Sequence, residues 1–532
     1  MRSTFMGLET SKRGLFTQQS ALYTTGHNIS NANTIGYSRQ RVNMQSTLGY
    51  PGVGLNAPKT AGHIGTGVEA GSVQRIRDEF IDRQYRQESN KLGYWQSKSD
   101  IITQMEDVLT EPSDYGLSKS MDEFWKSLQD LSVHPNNGGA RSVVVQRAKA
   151  IADSFNYMHK SLSDIKTNTG KEIGISLKDV NSILQQIASI NERIQAIEPN
   201  GYMPNDLYDA RDVLIDELSN YFPIETQRVP SGGNALGIAE GSLTVSVKLN
   251  GKTVELVNGK DFKQFRTSPS QTTPAGDGVT PTGAIEGLSL VTVDTAGNET
   301  VADTIAFSDL NETGKLKSLI NSYGYMDNSA IPVEKGLLTD MIAKLNLMAK
   351  SFAEEFNKIH MGDGSTDYPI GSDLYGNAGK EFFASTTGGT IDAGNITISQ
   401  DIVDDPNKIV ASDSAPDPTK PEPGNGKFAL KLANMKFASL ADLGNTSVQT
   451  YFTGLIGQLG VDGQQASRMQ YNSETLQLAV LERRASVSSV SLDEEMTNMI
   501  VFQQAYNASA RMITVIDETL DKIINGMGRT GL

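Results

Sequence analysis

Both ends of this chain repeat apolar residues at the spacing of a helix seam, and nothing else in the sequence restricts the fold as much. Leu8, Leu15, Leu22 and Ile29 recur every seven residues, which lays a narrow apolar ridge along one side of a helix. At the other terminus Met499, Phe502, Tyr506, Ser509, Ile513, Ile516, Leu520 and Ile523 alternate by three and four, a seam that only Ser509 interrupts. Ser491 followed by Glu494 supplies a capping box at its start. No proline occurs in residues 1–50 or after Pro423, so both ends are free to form long helices. Each seam is about 30 Å long at the rise of an α-helix. Residues 1–50 hold five basic and one acidic side chain, whereas 490–532 hold six acidic and three basic. Two seams of equal length and opposite charge are expected to pair with each other.

Neither seam is strong alone. Ordering each residue costs about 1–2 kcal/mol of backbone entropy, and the N-terminal segment is rich in Thr, Ser, Asn and Gly, which are mediocre or poor helix formers. Both ends are therefore expected to become helical only when neighbouring surfaces cover them. Directly behind the first ridge, "NISNANTIGYSRQ" (28–40) lacks the alternation of a strand. Asn31, Asn33 and Gly36 suit a defined turn out of the helix, because Asn and Gly accept left-handed backbone and Asn side chains cap free backbone groups. "YSRQRV" then enters a strand, paired with "GVEAGSVQRI".

At 532 residues the chain is too long for one core. Val180, Ile183, Ile187, Ile190, Ile194 and Ile197 form another three-four seam, "NDLYDARDVLIDELSNYF" continues after a Pro/Gly break at Pro199–Pro204, and a further helical run covers about 336–360. Between the helices, Leu243, Val245, Val247 and Leu249 alternate and Asn250-Gly251 precedes Val254 and Leu256, the pattern of a two-residue hairpin. Residues 288–307 give a second hairpin. The expected fold is multidomain α+β: terminal helices forming an α-helical coiled coil, a long-helix bundle with a β-hairpin, and an inserted β-rich domain. The divisions read as 1–36 with 491–532 for the terminal core and 37–227 with 311–360 and 427–490 for the bundle. The β-rich insertion is 228–310, and 361–426 is a small irregular insertion.

Cysteine is absent, which excludes disulfides, thiol catalysis and Cys-ligated metal. The five His residues are scattered without the spacing of a zinc site. A net charge of -15 argues against nucleic acid as a partner. No run of apolar residues is long enough to insert in a membrane, and the N-terminus lacks the pattern of a cleavable signal peptide. "GTGVEAG" (65–71) places its last Gly one residue late for a dinucleotide loop and reads as turn and strand. "GDGSTD" (362–367) lacks the twelve-residue frame of a calcium loop and reads as a turn. No cofactor, metal site or catalytic constellation is expected, so the chain reads as a non-enzyme.

"ALYTTGHNISNANTIGYSRQRV" resembles the N-terminal signature of the axial proteins of the bacterial flagellum, the rod, hook and hook-associated subunits. "SVSSVSLDEEMTNMIVFQQAYNASARMITVIDETLDKIIN" resembles their C-terminal counterpart. "GTGVEAGSVQRIRDEFIDRQYR", "EFWKSLQDLSVHP", "ARSVVVQRA", "NDLYDARDVLIDELS" and "FAEEFNKIH" are similar to the hook-associated members in particular. Ile35 stands where the family commonly has Pro, and Ser491 where it commonly has Asn. The resemblance implies a structural subunit exported without a cleavable signal peptide through the flagellar type III apparatus. Such a subunit polymerises with itself at the hook–filament junction. Its implied partners are the hook protein, the second junction protein (hook-associated protein 3) and an export chaperone on the C-terminal seam, anchored by Met499, Phe502, Tyr506, Ile513 and Leu520. The alternative is a secreted adhesin or phage tail-like fibre with helical oligomerisation ends.

Overall fold

The computed structural model describes residues 5–51, 62, 64–109, 116–249, 252–268, 279–293, 299–310, 313–327, 332–366 and 368–526. Helix α1 (Met6–Ser30) leads into an antiparallel hairpin of β1 (Gln40–Ser46) and β2 (Val68–Arg75), in the pairing the sequence suggests, with a bulge at Asn43/Met44. The "GTGVEAG" run thus enters a strand. Helices α2 (Glu79–Val108), α3 (Leu117–Val133), α4 (Gly138–Ile197) and α5 (Asn205–Tyr221) follow. Asp78 caps α2 by accepting the Phe80 N–H, and Asn137 caps α4 by accepting those of Gly139 and Ala140.

The seam at 180–197 is the last third of α4, a single helix of 60 residues and so about 90 Å long. Two sheets pack against that third. One is β3 (Ile224–Val229), β4 (Ser242–Lys248), β5 (Thr253–Asn258) and β6 (Asp261–Phe262), in that order. The other is β7 (Gln264–Ser268), β8 (Gly287–Val293) and β9 (Glu299–Ala306). Their inward residues Val245, Val247, Leu256, Phe265, Leu288 and Leu290 share one continuous core with Val180, Ile183, Leu184 and Ile187. Two asparagines of α4 grip one strand each. The Asn191 amide donates to the carbonyl of Leu243 at 2.9 Å and accepts its N–H at 3.1 Å, and Asn181 does the same to Phe265 at 3.1 and 2.7 Å. Each side-chain amide stands in for a neighbouring strand, which satisfies backbone groups that burial would otherwise leave unpaired. β4 and β5 meet with Lys248 opposite Thr253, while Asn250-Gly251 of the expected turn lies outside the described residues.

The first third of α4 packs on α3 and on α7 (Leu337–Met361), which follows α6 (Lys315–Tyr323), β10 (Tyr325–Met326) and β11 (Glu334–Lys335). Phe124, Phe155, Phe352, Phe356, Phe382 and Phe383 form an aromatic core there, with ring centroids about 5–6.4 Å apart. Residues 361–426 carry β12 (Phe383–Ser385), β13 (Ile396–Ile398) and α8 (Gln400–Asp404), followed by α9 (Lys427–Asn434). Arg141 of α4 binds that segment to the bundle, donating to the carbonyls of Pro135, Asn407 and Ile409. His360 does similar work: its Nδ1–H donates to the Lys380 carbonyl at 2.6 Å while Nε2 accepts the Val410 N–H at 3.0 Å. "GDGSTD" is a turn, with the Asp363 and Gly364 N–H groups both returned to the Tyr368 carbonyl; Asp367 lies outside the described residues.

Helix α10 (Val448–Ser488) runs antiparallel to α2 and ends at Ser489, and α11 (Leu492–Gly526) starts immediately after Ser491. α11 then returns along α1. The described ends of the chain are thus helical, and they pack against each other within a single chain rather than only against neighbouring copies. No described helix is long and apolar enough to cross a membrane.

Candidate assembly interface at the chain termini

The register of the terminal pair follows from three contacts. A Cβ placed on Gly7 would lie 3.4 Å from Ile516 Cδ1, and one on Gly14 would lie 3.3 Å from Ser509 Oγ. Asn28 Nδ2 donates to Glu495 Oε2 at 3.1 Å. Seven residues up one helix correspond to seven down the other, so the same register sets Ala21 level with Phe502. The line of α1 that faces α11 is therefore Gly7, Gly14, Ala21 and Asn28, small residues at seven-residue spacing, which allow close approach of the two backbones. The ridge of Leu8, Leu15, Leu22 and Ile29 runs beside that line and is half-buried. On α11, Met499, Phe502, Tyr506, Ile513, Ile516 and Leu520 are half-buried and Ile523 is exposed. Ser509, the interruption in the apolar pattern, is the residue that faces Gly14. The other side of α1 receives the hairpin, where Thr17 Oγ1 donates to the Val68 carbonyl at 3.1 Å.

The turn behind α1 divides its work. Asn31 ends the helix by donating its side-chain amide to the His27 carbonyl at 3.0 Å, and its backbone is not left-handed. Asn33 is exposed at the tip. Gly36 alone of the three takes positive φ, at 78°, with its α-carbon against α5: a Cβ there would meet Val213 Cγ2 at 2.1 Å.

Asn28 and Arg39, one at each end of this turn, hold the start of α11. Asn28 is fully enclosed and all its amide capacity is used. It donates to the Gln40 carbonyl and to Glu495, and it accepts the Gln40 N–H at 3.0 Å and the Tyr37 hydroxyl at 2.8 Å. Arg39 Nε donates to Glu495 Oε1 and its NH1 to Glu494 Oε2, both at 2.7 Å. Glu494, expected to cap its own helix, is thus turned toward Arg39. Burial, with the charges of Asp206, Asp209 and Glu495 nearby, pushes the Tyr37 hydroxyl well above its ordinary range, so it stays a neutral donor to Asn28.

Below the turn lies a buried lattice of charges that joins three distant motifs. Arg75, from the end of β2, reaches Asp209 at 2.6 Å, Asp212 at 3.0 Å and Glu240 at 2.5 Å. Arg77 reaches Asp82 and Asp212, Arg86 reaches Asp212 and Asp216, and Arg484 of α10 reaches Asp82 and Asp216. Burial alone would push the Asp212 carboxyl up, but Arg77, Arg75, Arg86 and Arg211 together hold it well below the usual carboxylate range. The lattice fixes α2, α5, α10 and the root of the hairpin as one unit. Most of its members lie in "VQRIRDEFIDRQYR" and "NDLYDARDVLIDELS", with Glu240 and Arg484 outside them, and the i, i+3 and i, i+4 spacing of Asp209, Asp212 and Asp216 was a readable sign of a charged helix face.

The uncovered surface of the pair includes large apolar side chains among its polar ones. At the N-cap of α1 Phe5 is exposed, as are Phe16 and Tyr23 on the helix, and on α11 so are Leu492, Met496, Ile500, Val501, Met512, Val515, Ile523 and Ile524. Within α11 only Glu495 is buried. Among the described residues no group of His, Asp and Glu is arranged to hold a metal ion.

Comparison with known proteins agrees with this architecture. The family described as flagellar hook-associated protein FlgK helical domain matches residues 102–383, and the flagellar basal body rod FlgEFG protein C-terminal family matches 484–526. The chain is 42% identical to flagellar hook-associated protein 1 of Bacillus subtilis (strain 168), over 100% of both chains. It is 26% identical to the protein of the same name from Salmonella typhimurium, covering 96% of this chain and 98% of the relative. The flagellar hook junction protein FlgK from Burkholderia pseudomallei shares the fold at a TM-score of 0.58 and 14% identity, over 77% of this chain and 100% of that one. A terminal helix pair, a helical middle with small sheets and a match along its whole length place the chain in the family of flagellar hook-associated protein 1.

Proposed function

We propose that the chain is a structural subunit of the flagellum that polymerises at the distal end of the hook and forms the hook–filament junction, without catalysing a reaction. The observation that carries this is the uncovered apolar surface of α11, 35 residues long with a single buried side chain. A helix bearing that much apolar area has most of its packing energy still to gain, at roughly 25 cal/mol per Å2 removed from water. In a polymer, neighbouring copies supply the cover. Leu8, Leu15, Leu22, Ile29, Met499, Phe502, Tyr506, Ile513, Ile516, Leu520 and Ile523 then move from half-buried or exposed into the assembled interior. Asn31, Asn33 and Gly36 bring the body out from it. On this reading the hook protein and the second junction protein meet the ends of the ring of subunits. Before assembly the same face of α11 is held by an export chaperone as a helix in a groove, and the chain leaves the cell through the type III apparatus.

The test is a pair of substitutions on the outer face, Met512→Asp and Val515→Asp, in a strain whose motility depends on this chain. Export of the subunit, recovered folded outside the cell, together with loss of junction assembly is the expected result. Normal motility and normal incorporation of the doubly substituted chain would refute the assignment of α11 as the assembly surface.

A further inference from the structure

The terminal pair and its hairpin are joined to the rest of the chain by two covalent connections, Ile76–Asp78 between β2 and α2 and Ser489–Ser491 between α10 and α11. Both connections, and the first turn of α11, converge on Arg39. Its N–H donates to the Ser488 carbonyl at 2.9 Å, and its own carbonyl accepts the Ile76 N–H at 2.8 Å. Its guanidinium, from one side chain, spans Glu494 and Glu495 at 2.7 Å each. The hairpin has further holds on α5, through the Ser38 N–H to Asp209 and Gln40 to Asp206. α11 is placed differently. Only three residues separate it from α10, and its first turn is fixed from Arg39 and Asn28.

We propose that Arg39 is a positioning residue that sets the direction in which the terminal pair leaves the body. The backbone of Arg39 locks the two covalent connections to each other. Its planar fork then fixes the first turn of α11 to the same point, with one carboxylate enclosed (Glu495, 3% exposed) and the other at the surface (Glu494, 63%). An ammonium has no such fork and engages as a single point charge. Without the guanidinium the first turn of α11 keeps Asn28 alone, and the pair pivots about the segment Ser489–Ser491 through a wider range of angles against α2 and α10 while remaining folded. This goes beyond the assembly role, because it concerns the subunit's shape before any contact with a neighbour.

The absence of cysteine from the chain makes the test direct. Gln19→Cys on α1 and Asn472→Cys on α10, both exposed positions, carry a pair of spin labels, and the distance distribution is read in the soluble full-length protein. The reference protein is expected to give one narrow peak. Arg39→Gln should lose that peak to a broad distribution at unchanged helix content, and Arg39→Lys should fall between the two. Arg13→Gln, which removes a surface ion pair to Glu9 on α1, serves as the control and should leave the peak in place. If Arg39→Gln lowers the unfolding midpoint but keeps the same narrow peak, Arg39 is a stabilising contact only and the proposal is overturned. Should Arg39→Gln fail to fold, the double variant Glu494→Gln/Glu495→Gln asks the same question from the other side. A narrow, unshifted peak there overturns the proposal equally.

Discussion

Replacing Gly36 with alanine adds one methyl group, and the structure assigns it two separate costs. The backbone of Gly36 lies at φ 78°, a region that costs an L-residue about 1–2 kcal/mol. The new methyl would also stand 2.1 Å from Val213 Cγ2, and overpacking of this kind costs about 1–3 kcal/mol. The turn should therefore open about 3 kcal/mol more easily, which is roughly a hundredfold in the opening equilibrium. Because the chain has more than one folded region, a global unfolding midpoint is the wrong measure, and local amide exchange is the right one. The N–H groups of Ser38, Arg39 and Gln40, held by Asp209, the Ser488 carbonyl and Asn28, should exchange about a hundredfold faster in Gly36→Ala. The double variant Gly36→Ala/Val213→Ala separates the two costs. It removes the clashing methyl, leaves the next nearest atom at 3.6 Å, and should recover the steric part while keeping about a tenfold acceleration from the backbone alone. Unchanged exchange in Gly36→Ala, or no recovery in the double variant, would refute the account of the turn.

Three further outcomes can be measured. His360 is enclosed, and burial lowers its pKa from 6.5 to about 4; the unfolded chain therefore takes up a proton that the folded one refuses. The region's stability should be complete above pH 6.5 and fall by about 3 kcal/mol as the pH drops from 6.5 to 4, and urea titrations of His360→Gln should lack that slope. Asp212→Asn leaves Arg75, Arg77 and Arg86 facing a neutral amide, which should destabilise the joint of α2, α5 and α10 by about 3–5 kcal/mol; denaturant titration of both proteins reads this directly. Asn191→Leu leaves the N–H and carbonyl of Leu243 without their partner on α4, at about 1–3 kcal/mol for each buried group. Limited proteolysis should then cut within 252–310 while α4 stays intact, and an unaltered digestion pattern would contradict the role given to Asn191.

The terminal helices, the turn between α1 and β1, the first hairpin and the strands at 243–256 were all legible, because each is written locally in apolar spacing or turn chemistry. What was not legible depended on residues that carry no such signal. Gly7, Gly14 and Ala21 line the contact with α11, yet a search for apolar periodicity passes over small residues and stops at the larger Leu ridge beside them. Ser509 looked like a flaw in the seam until its partner was a glycine. Arg75, Asp212 and Arg484 are far apart in the chain and ordinary as isolated charges; only the packing of α2 on α5 and α10 brings them together. The asparagines at 181 and 191 were hidden for the same reason, since a polar residue on a helix gives no hint that a strand edge lies across from it. Of the two ends of the turn, Asn31 and Gly36 were found from their residue types, but the fastening at Arg39 lies in backbone geometry that no residue type encodes.

The contact between Asn28 and Glu495 spans 467 residues, and that separation puts a clock on the molecule. Translation proceeds from the N-terminus at about 5–20 residues per second, so α1 exists for roughly 25–90 s before the helix that covers it has been made. The body is complete only once α10 has been made, because Arg484 pairs with Asp82 and Asp216, and α1 stays without its helical partner until the residues after α10 follow. A chain cut short between Ser489 and Glu495 retains every element of the body through α10 and still lacks the terminal pair. The terminal pair is therefore the last part of the described structure to be assembled, after every other element has been made.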